Sequence, residues 1–236
     1  MVKTRKKERL VQFQRGQLID RYLCDLHTHR KNTMKGHSPW KQFFYKTIGT
    51  DIVNSTNEPF ELTKNTVERF LEFQTTHNKW FKFVLFEYDD QKHIYVIQGN
   101  SYNKHTLCIL KGILEQTRGD PLFDELRTLY TKLVQQKHKG SLYTLYQLKQ
   151  RLQTLVQLYY PCMPVLVAGA GTVNEDGSIC LNNKSGHYTP SIRRIHKAGT
   201  LFTEITGRAV HVQAYDRAAL RKRYSKDYKD EGSICV

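Results

Sequence analysis

Residues 165–191 read VLVAGAGTVNEDGSICLNNKSGHYTPS. Val165-Leu166-Val167-Ala168 is a short apolar run of the kind that forms a buried strand, and Gly169-Ala170-Gly171 loosens it. Asn174-Glu175-Asp176-Gly177 is a turn signal, because Gly177 tolerates positive φ and an Asp side chain bonds nearby backbone. Ser178–Leu181 is then a return strand. A polar loop follows, Asn182 to Tyr188. Thr189 suits a helix N-cap and Pro190 the first helical position, which predicts a helix starting there. The stretch is a hairpin that carries a polar loop to the start of a helix.

Upstream lie two amphipathic runs. Over 121–139, Leu122, Phe123, Leu126, Leu129, Tyr130, Leu133 and Val134 fit a helical period, with Pro121 at the start. Over 141–159, Leu142, Leu145, Tyr146, Leu148, Leu152, Leu155, Val156 and Tyr159 do the same. Gly140 alone separates them, so an antiparallel helical hairpin is expected. Two roles remain open for it: a docking device, or a cover for one face of the sheet. Further upstream, Trp80–Tyr88 and His93–Gln98 are strand-like around the turn residues Asp89-Asp90-Gln91-Lys92, and Val67, Phe70 and Leu71 set a helical stripe within 60–76. Downstream, the Pro190 helix places Ile192, Ile195, Phe202 and Ile205 on one side, with Arg193, Arg194 and Lys197 largely off it. Gly207 ends that helix, and 209–214 alternates as a last strand.

Ser185-Gly186-His187-Tyr188 with Pro190, after a glycine-containing hairpin, resembles a loosely described family. It occurs in plant IQ-motif calmodulin-binding proteins, bacterial toxin-like proteins and proteins of large DNA viruses. The resemblance extends to Trp80–Leu85, Ile94-Tyr95-Val96, and Lys104-His105 with Leu107. It covers 80–110 and 165–202, and the 121–159 hairpin stands as an insertion relative to it. No calmodulin-type IQ helix is evident, so calmodulin binding is not carried over. The resemblance implies fold rather than chemistry.

The 236 residues carry 37 Lys+Arg against 22 Asp+Glu, a net charge of +15, and 39% hydrophobic residues. Such a chain can build a core, and its charge favours anionic partners. Residues 1–19 read as a basic arm containing Lys3, Arg5, Lys6, Lys7 and Arg9; residues 216–236 read as a basic tail containing Arg217, Arg221, Lys222, Arg223 and Lys226. Tyr224 and Tyr228 interleave with the tail's cations, so it could stack on bases, grip an acidic protein groove, or stay solvated. Five cysteines without a Cys-x-x-Cys pair argue against a secreted disulfide framework, and predict small buried thiols in a reducing compartment. No apolar run reaches the ~20 residues of a membrane span. His27, His29 and His37 near Cys24 lack a completing ligand and read as surface or interface histidines rather than a metal site.

A Ser, a His and a Tyr within four residues invite an enzymatic reading. Ser185 would be nucleophile, His187 base and Tyr188 proton donor, with His105 completing the pocket and Gly171 and Gly186 letting a ligand approach backbone. Against it, no acid accompanies the loop, no Gly-x-Ser-x-Gly elbow is present, and Ala168–Thr172 lacks the Lys of a phosphate loop. Ser185 and Asn183 serve equally as turn residues that satisfy backbone groups.

The sequence therefore predicts an α+β fold. A small antiparallel sheet is flanked by helices within a single domain at 20–215, with the hairpin 121–159 inserted and basic extensions at both ends. The favoured function is a non-enzymatic interaction protein of a large assembly, without cofactor, binding other protein subunits. The resemblance suggests a minor capsid or internal protein of a virion as its concrete form, within a virion or cell rather than secreted. A pocket enzyme and a nucleic-acid binder are the alternatives.

Overall fold

The computed structural model describes residues 48–75, 80–88, 90–99, 103–137, 139–159, 165–185 and 190–215. The basic arm, the basic tail, the Cys24–His37 cluster, and the loop residues Gly186, His187, Tyr188 and Thr189 lie outside the described residues. In chain order the elements are a helical stretch at 48–54, β1 (Phe60–Glu61), α1 (Val67–Leu71) between two 3-10 turns, β2 (Trp80–Tyr88) and β3 (Gln91–Gln98). Then come α2 (His105–Gln116), a 3-10 turn (Pro121–Phe123), α3 (Asp124–Gln136), α4 (Leu142–Tyr159), β4 (Val165–Val173), β5 (Ile179–Asn182), α5 (Ile192–Thr206) and β6 (Val210–Gln213).

The six strands form one sheet in the order β1-β3-β2-β4-β5-β6. The expected α+β class and antiparallel sheet are what the fold shows, with one refinement. β6 runs parallel to β5, Ile179 opposite Val210, because α5 carries the chain back across the sheet between them. The β2–β3 turn is two residues long, with Tyr88 opposite Gln91. Asp90 takes φ 58°, a left-handed conformation that Asp tolerates better than most residues. The β4–β5 turn forms as its sequence predicts: Gly177 has φ 78°, and the Asp176 carboxylate accepts the Ser178 amide at 2.8 Å.

β2, β3 and β4 are apolar on both faces because both faces are covered. Phe81, Phe83, Leu85, Ile94, Val96 and Val167 meet α1 and α5, while Val84, Phe86, Tyr95, Ile97 and Ala168 meet α2 and the inner sides of α3 and α4. A bulge sets the phase. Leu85 faces Val167 but Phe86 faces Val165, which leaves Leu166 as the extra residue. Leu166 and Val167 consequently pack in one cluster, and Val165 and Ala168 in the other. Phe202 of α5 sits 5.3 Å from the Phe83 ring and 5.9 Å from that of Phe81, the centre of an aromatic layer.

Three local expectations change. α5 starts at Ile192, not Pro190: Ser191 is still extended, and the Pro190 carbonyl accepts Asn183 Nδ2 at 3.2 Å, which ties that residue to the loop. Residues 60–61 leave the helical stripe to form edge strand β1. Cys180 is disulfide-bonded rather than a thiol, its partner outside the described residues; Cys108 is a buried free thiol, held protonated by burial. Among the described residues, no helix is long and apolar enough to cross a membrane.

Candidate functional site

The register of β2, β4, β5 and β6 sets out the end of the sheet that the polar loop reaches. Trp80, Thr172, Cys180 and His211 are cross-strand neighbours in one row; Lys82, Ala170, Asn182 and Gln213 form the row two residues along, on the same face. His105, the first residue of α2, brings its Nε2 to 2.8 Å from the Gly169 carbonyl. A carbonyl only accepts, so that nitrogen carries the proton and donates it. His105 thus pins α2 to β4, and Nε2 is not a proton acceptor.

The neighbouring polar groups work in the same way. Lys82 Nζ donates to the Asn103 carbonyl at 2.5 Å. Asn103 is fully buried; its Nδ2 donates to the Gln98 carbonyl and its Oδ1 accepts the Thr56 amide. Asn182 Oδ1 accepts the Lys184 amide at 3.0 Å, and Asn183 Oδ1 accepts the Tyr215 amide at 2.7 Å. Ser185 is only 2% exposed. The Thr172 hydroxyl is the exception, buried without a hydrogen-bond partner among the described residues. Lys184 Nζ lies 5.7 Å from the Trp80 ring and 5.5 Å from the Tyr215 ring, while Lys82 Nζ lies 5.0 Å from Trp80.

Gly171 does not open a path for a ligand. A Cβ there would come within 2.5 Å of the Cys180 carbonyl and 2.6 Å of the Phe81 ring, so protein already fills the space. Gly169 is likewise closed by the Asn182 carbonyl at 2.4 Å. The structure therefore brings His105 and Asn182 to the same end of the sheet and buries Ser185, while His187 and Tyr188 lie outside the described residues. Of the predicted cationic residues, Arg193 and Lys197 are exposed and Arg194 half-buried on α5; Lys3, Arg5, Lys6, Lys7, Arg9, Arg217, Arg221, Lys222, Arg223 and Lys226 are outside the described residues.

A second polar cluster escaped the sequence reading. Tyr95 is fully buried, and its hydroxyl donates to Glu115 Oε2 at 2.8 Å, with Glu61 Oε2 at 3.4 Å. Burial first, then the Glu115 carboxylate, push the Tyr95 phenol far above its usual range. His93 Nδ1 stands 2.7 Å from Glu61 Oε1, and Gln116 Nε2 donates to Glu61. The Phe86 ring stacks against both His93 and Tyr95. These bonds fasten β1 and the end of α2 to β3. The contributing positions are scattered in sequence, so no local signal announces them. Among the described residues, no three His, Cys, Asp or Glu side chains gather as a metal site.

The helical hairpin has two unlike sides. Leu126, Leu133, Leu145, Leu152 and Leu155 join the core with α2. On the outside, Leu142 is 88% exposed, Tyr143 70% and Tyr146 61%. Ser141 Oγ accepts the Thr144 amide at 3.2 Å and caps α4, which fixes the turn that displays these residues. Tyr143 accepts Gln147 Nε2 at 2.6 Å. No family model matches the chain, and neither curated proteins nor solved structures give a match.

Proposed function

We propose that the chain is a non-enzymatic subunit of a large assembly that docks on neighbouring proteins through the α3–α4 hairpin, with its basic ends as further attachment points. The exposed Leu142, Tyr143 and Tyr146 carry this reading. Scattered surface hydrophobes are ordinary, but a Leu and two Tyr within five residues at the tip of a hairpin have the composition of an interface. The polar loop supports the same reading from the other direction: Asn182 and Asn183 bond backbone, and His105 Nε2 is committed to Gly169. The net charge of +15 suits anionic neighbours. A minor capsid or internal virion protein is the most concrete version, resting on the likeness of the Ser185–Tyr188 loop to proteins of large DNA viruses.

The test is sedimentation of the full chain from its native host. Wild type should travel with particles far larger than its own 27.7 kDa. The double variant Leu142→Asp/Tyr146→Asp should stay near the top of the gradient as a folded monomer. Co-sedimentation of the variant at wild-type level would refute docking through the hairpin.

A further inference from the structure

The α4 surface also indicates what kind of partner it takes. At 100° per residue, Leu142, Tyr143, Tyr146, Gln147 and Gln150 share the side of α4 opposite Leu145, Leu152 and Leu155. That outer side holds no charge. Around it cations prevail: from Leu126 to Tyr159 the sequence has Arg127, Lys132, Lys137, Lys139, Lys149 and Arg151 and no Asp or Glu, against Asp124 and Glu125 at the start of α3. The two arginines are already matched, Arg127 with Asp124 at 2.8 Å and Arg151 with Glu125. Lys132 and Lys139, both exposed, and Lys149, half-buried where its stem meets Gly49, have no ion-pair partner among the described residues. The pattern is an uncharged, tyrosine-bearing centre with a cationic rim.

We infer that this face takes an acidic protein surface, one that offers an apolar hollow to Leu142 and Tyr146 and carboxylates to Lys139 and Lys149. The inference rests on the docking reading above and adds the chemistry of the partner. Complementary charge at a rim steers encounter and fixes register, while desolvated aromatic anchors hold the complex. A second copy of this chain fits poorly, because it would set lysine rim against lysine rim. Nucleic acid also fits less well. The most exposed anchor is Leu142, an aliphatic knob without a ring to stack on a base, and both arginines are held by acids of α3.

The experiment pans a random-sequence peptide library, displayed on phage, against the full chain, with Leu142→Asp/Tyr146→Asp as counter-target. Leu142 opens α4, where an added carboxylate favours the helix, so the variant should keep the wild-type circular dichroism. The expected result is a set of enriched peptides rich in Asp and Glu around an apolar or aromatic residue. They should bind the variant about tenfold or more weakly and lose affinity as salt rises. Peptides that need Leu142 and Tyr146 but are neutral or basic would overturn the acidic partner and leave hairpin docking standing. No enrichment, or equal binding to the variant, would remove both. Two parallel measurements can also overturn the inference: oligothymidylate binding, or concentration-dependent dimerisation, that the double variant abolishes.

Discussion

The Trp80–Asn182 end of the sheet and the outer side of α4 handle their side chains in opposite ways. At the sheet end, residues with the chemistry of an active site are turned inward and bonded to backbone: His105 to Gly169, Lys82 to Asn103, Asn182 to Lys184. On α4, residues with the chemistry of a core are turned outward, Leu142 most of all. Polar groups in a covered place are hydrogen-bonded because leaving them unmade is costly. Apolar groups in water carry no such structural explanation. The sheet end reads as architecture, the Thr172 hydroxyl being its buried group without a partner among the described residues, and the exposed α4 side presents apolar surface that the fold does not cover.

The largest expected effect lies in the core that supports both regions. Phe202→Ala removes the ring between Phe70, Phe81 and Phe83, and should cost about 3–5 kcal/mol by urea denaturation. A loss well below 1 kcal/mol would mean that α5 does not hold the sheet. Next is His105→Ala, which removes the side-chain donor from the Gly169 carbonyl. It should cost about 1–3 kcal/mol, whereas a histidine kept for catalysis alone would leave the unfolding curve unchanged.

Alkaline pH sharpens the comparison at the second polar cluster. Tyr95 has a folded pKa raised far above its usual 10.0, by burial and by Glu115. The unfolded chain ionises first, so the stabilisation is complete below pH about 10 and is lost as pH rises beyond it. Tyr130, raised mainly by burial, acts in the same sense. Urea midpoints should therefore fall above pH about 10, and Tyr95→Phe should fall less steeply than wild type over the same range. Parallel slopes would show that Tyr95 does not keep its proton in the fold. The smallest effect belongs to α4: Leu142→Asp/Tyr146→Asp should move stability by about 0.5 kcal/mol or less. A larger loss would mean these side chains support the fold and are not spare.

What the sequence disclosed follows the range of the forces involved. The Asn174–Gly177 turn and the Gly140 break were legible because their chemistry is local, within a few residues. The α3–α4 hairpin was legible because one side of each helix is polar. α2 was not, because residues 106–110 and 112–114 are buried almost all round and leave no stripe to read. Gly112 looks like an interruption, yet a Cβ there would come 2.3 Å from the Phe86 ring, so the glycine is what lets α2 approach the sheet. β1 is a strand only because the edge of β3 pairs it, across more than thirty residues of chain. For the site, the sequence picked out Ser185 and His105 but missed Lys82, Asn103 and Thr172, whose positions depend on cross-strand register. It also placed Leu142 and Tyr146 in the helical stripe of 141–159, and only the packing of α4 shows that these two side chains face water.

Amide hydrogen exchange on the full chain, free and within its native assembly, puts the contrast between the two regions to the most direct test. Protection should rise across residues 142–147 on assembly and stay constant at Gly169 and Cys180, which the fold already shields. Protection gained at the sheet end, with 142–147 exchanging as freely as in the isolated chain, would contradict the account.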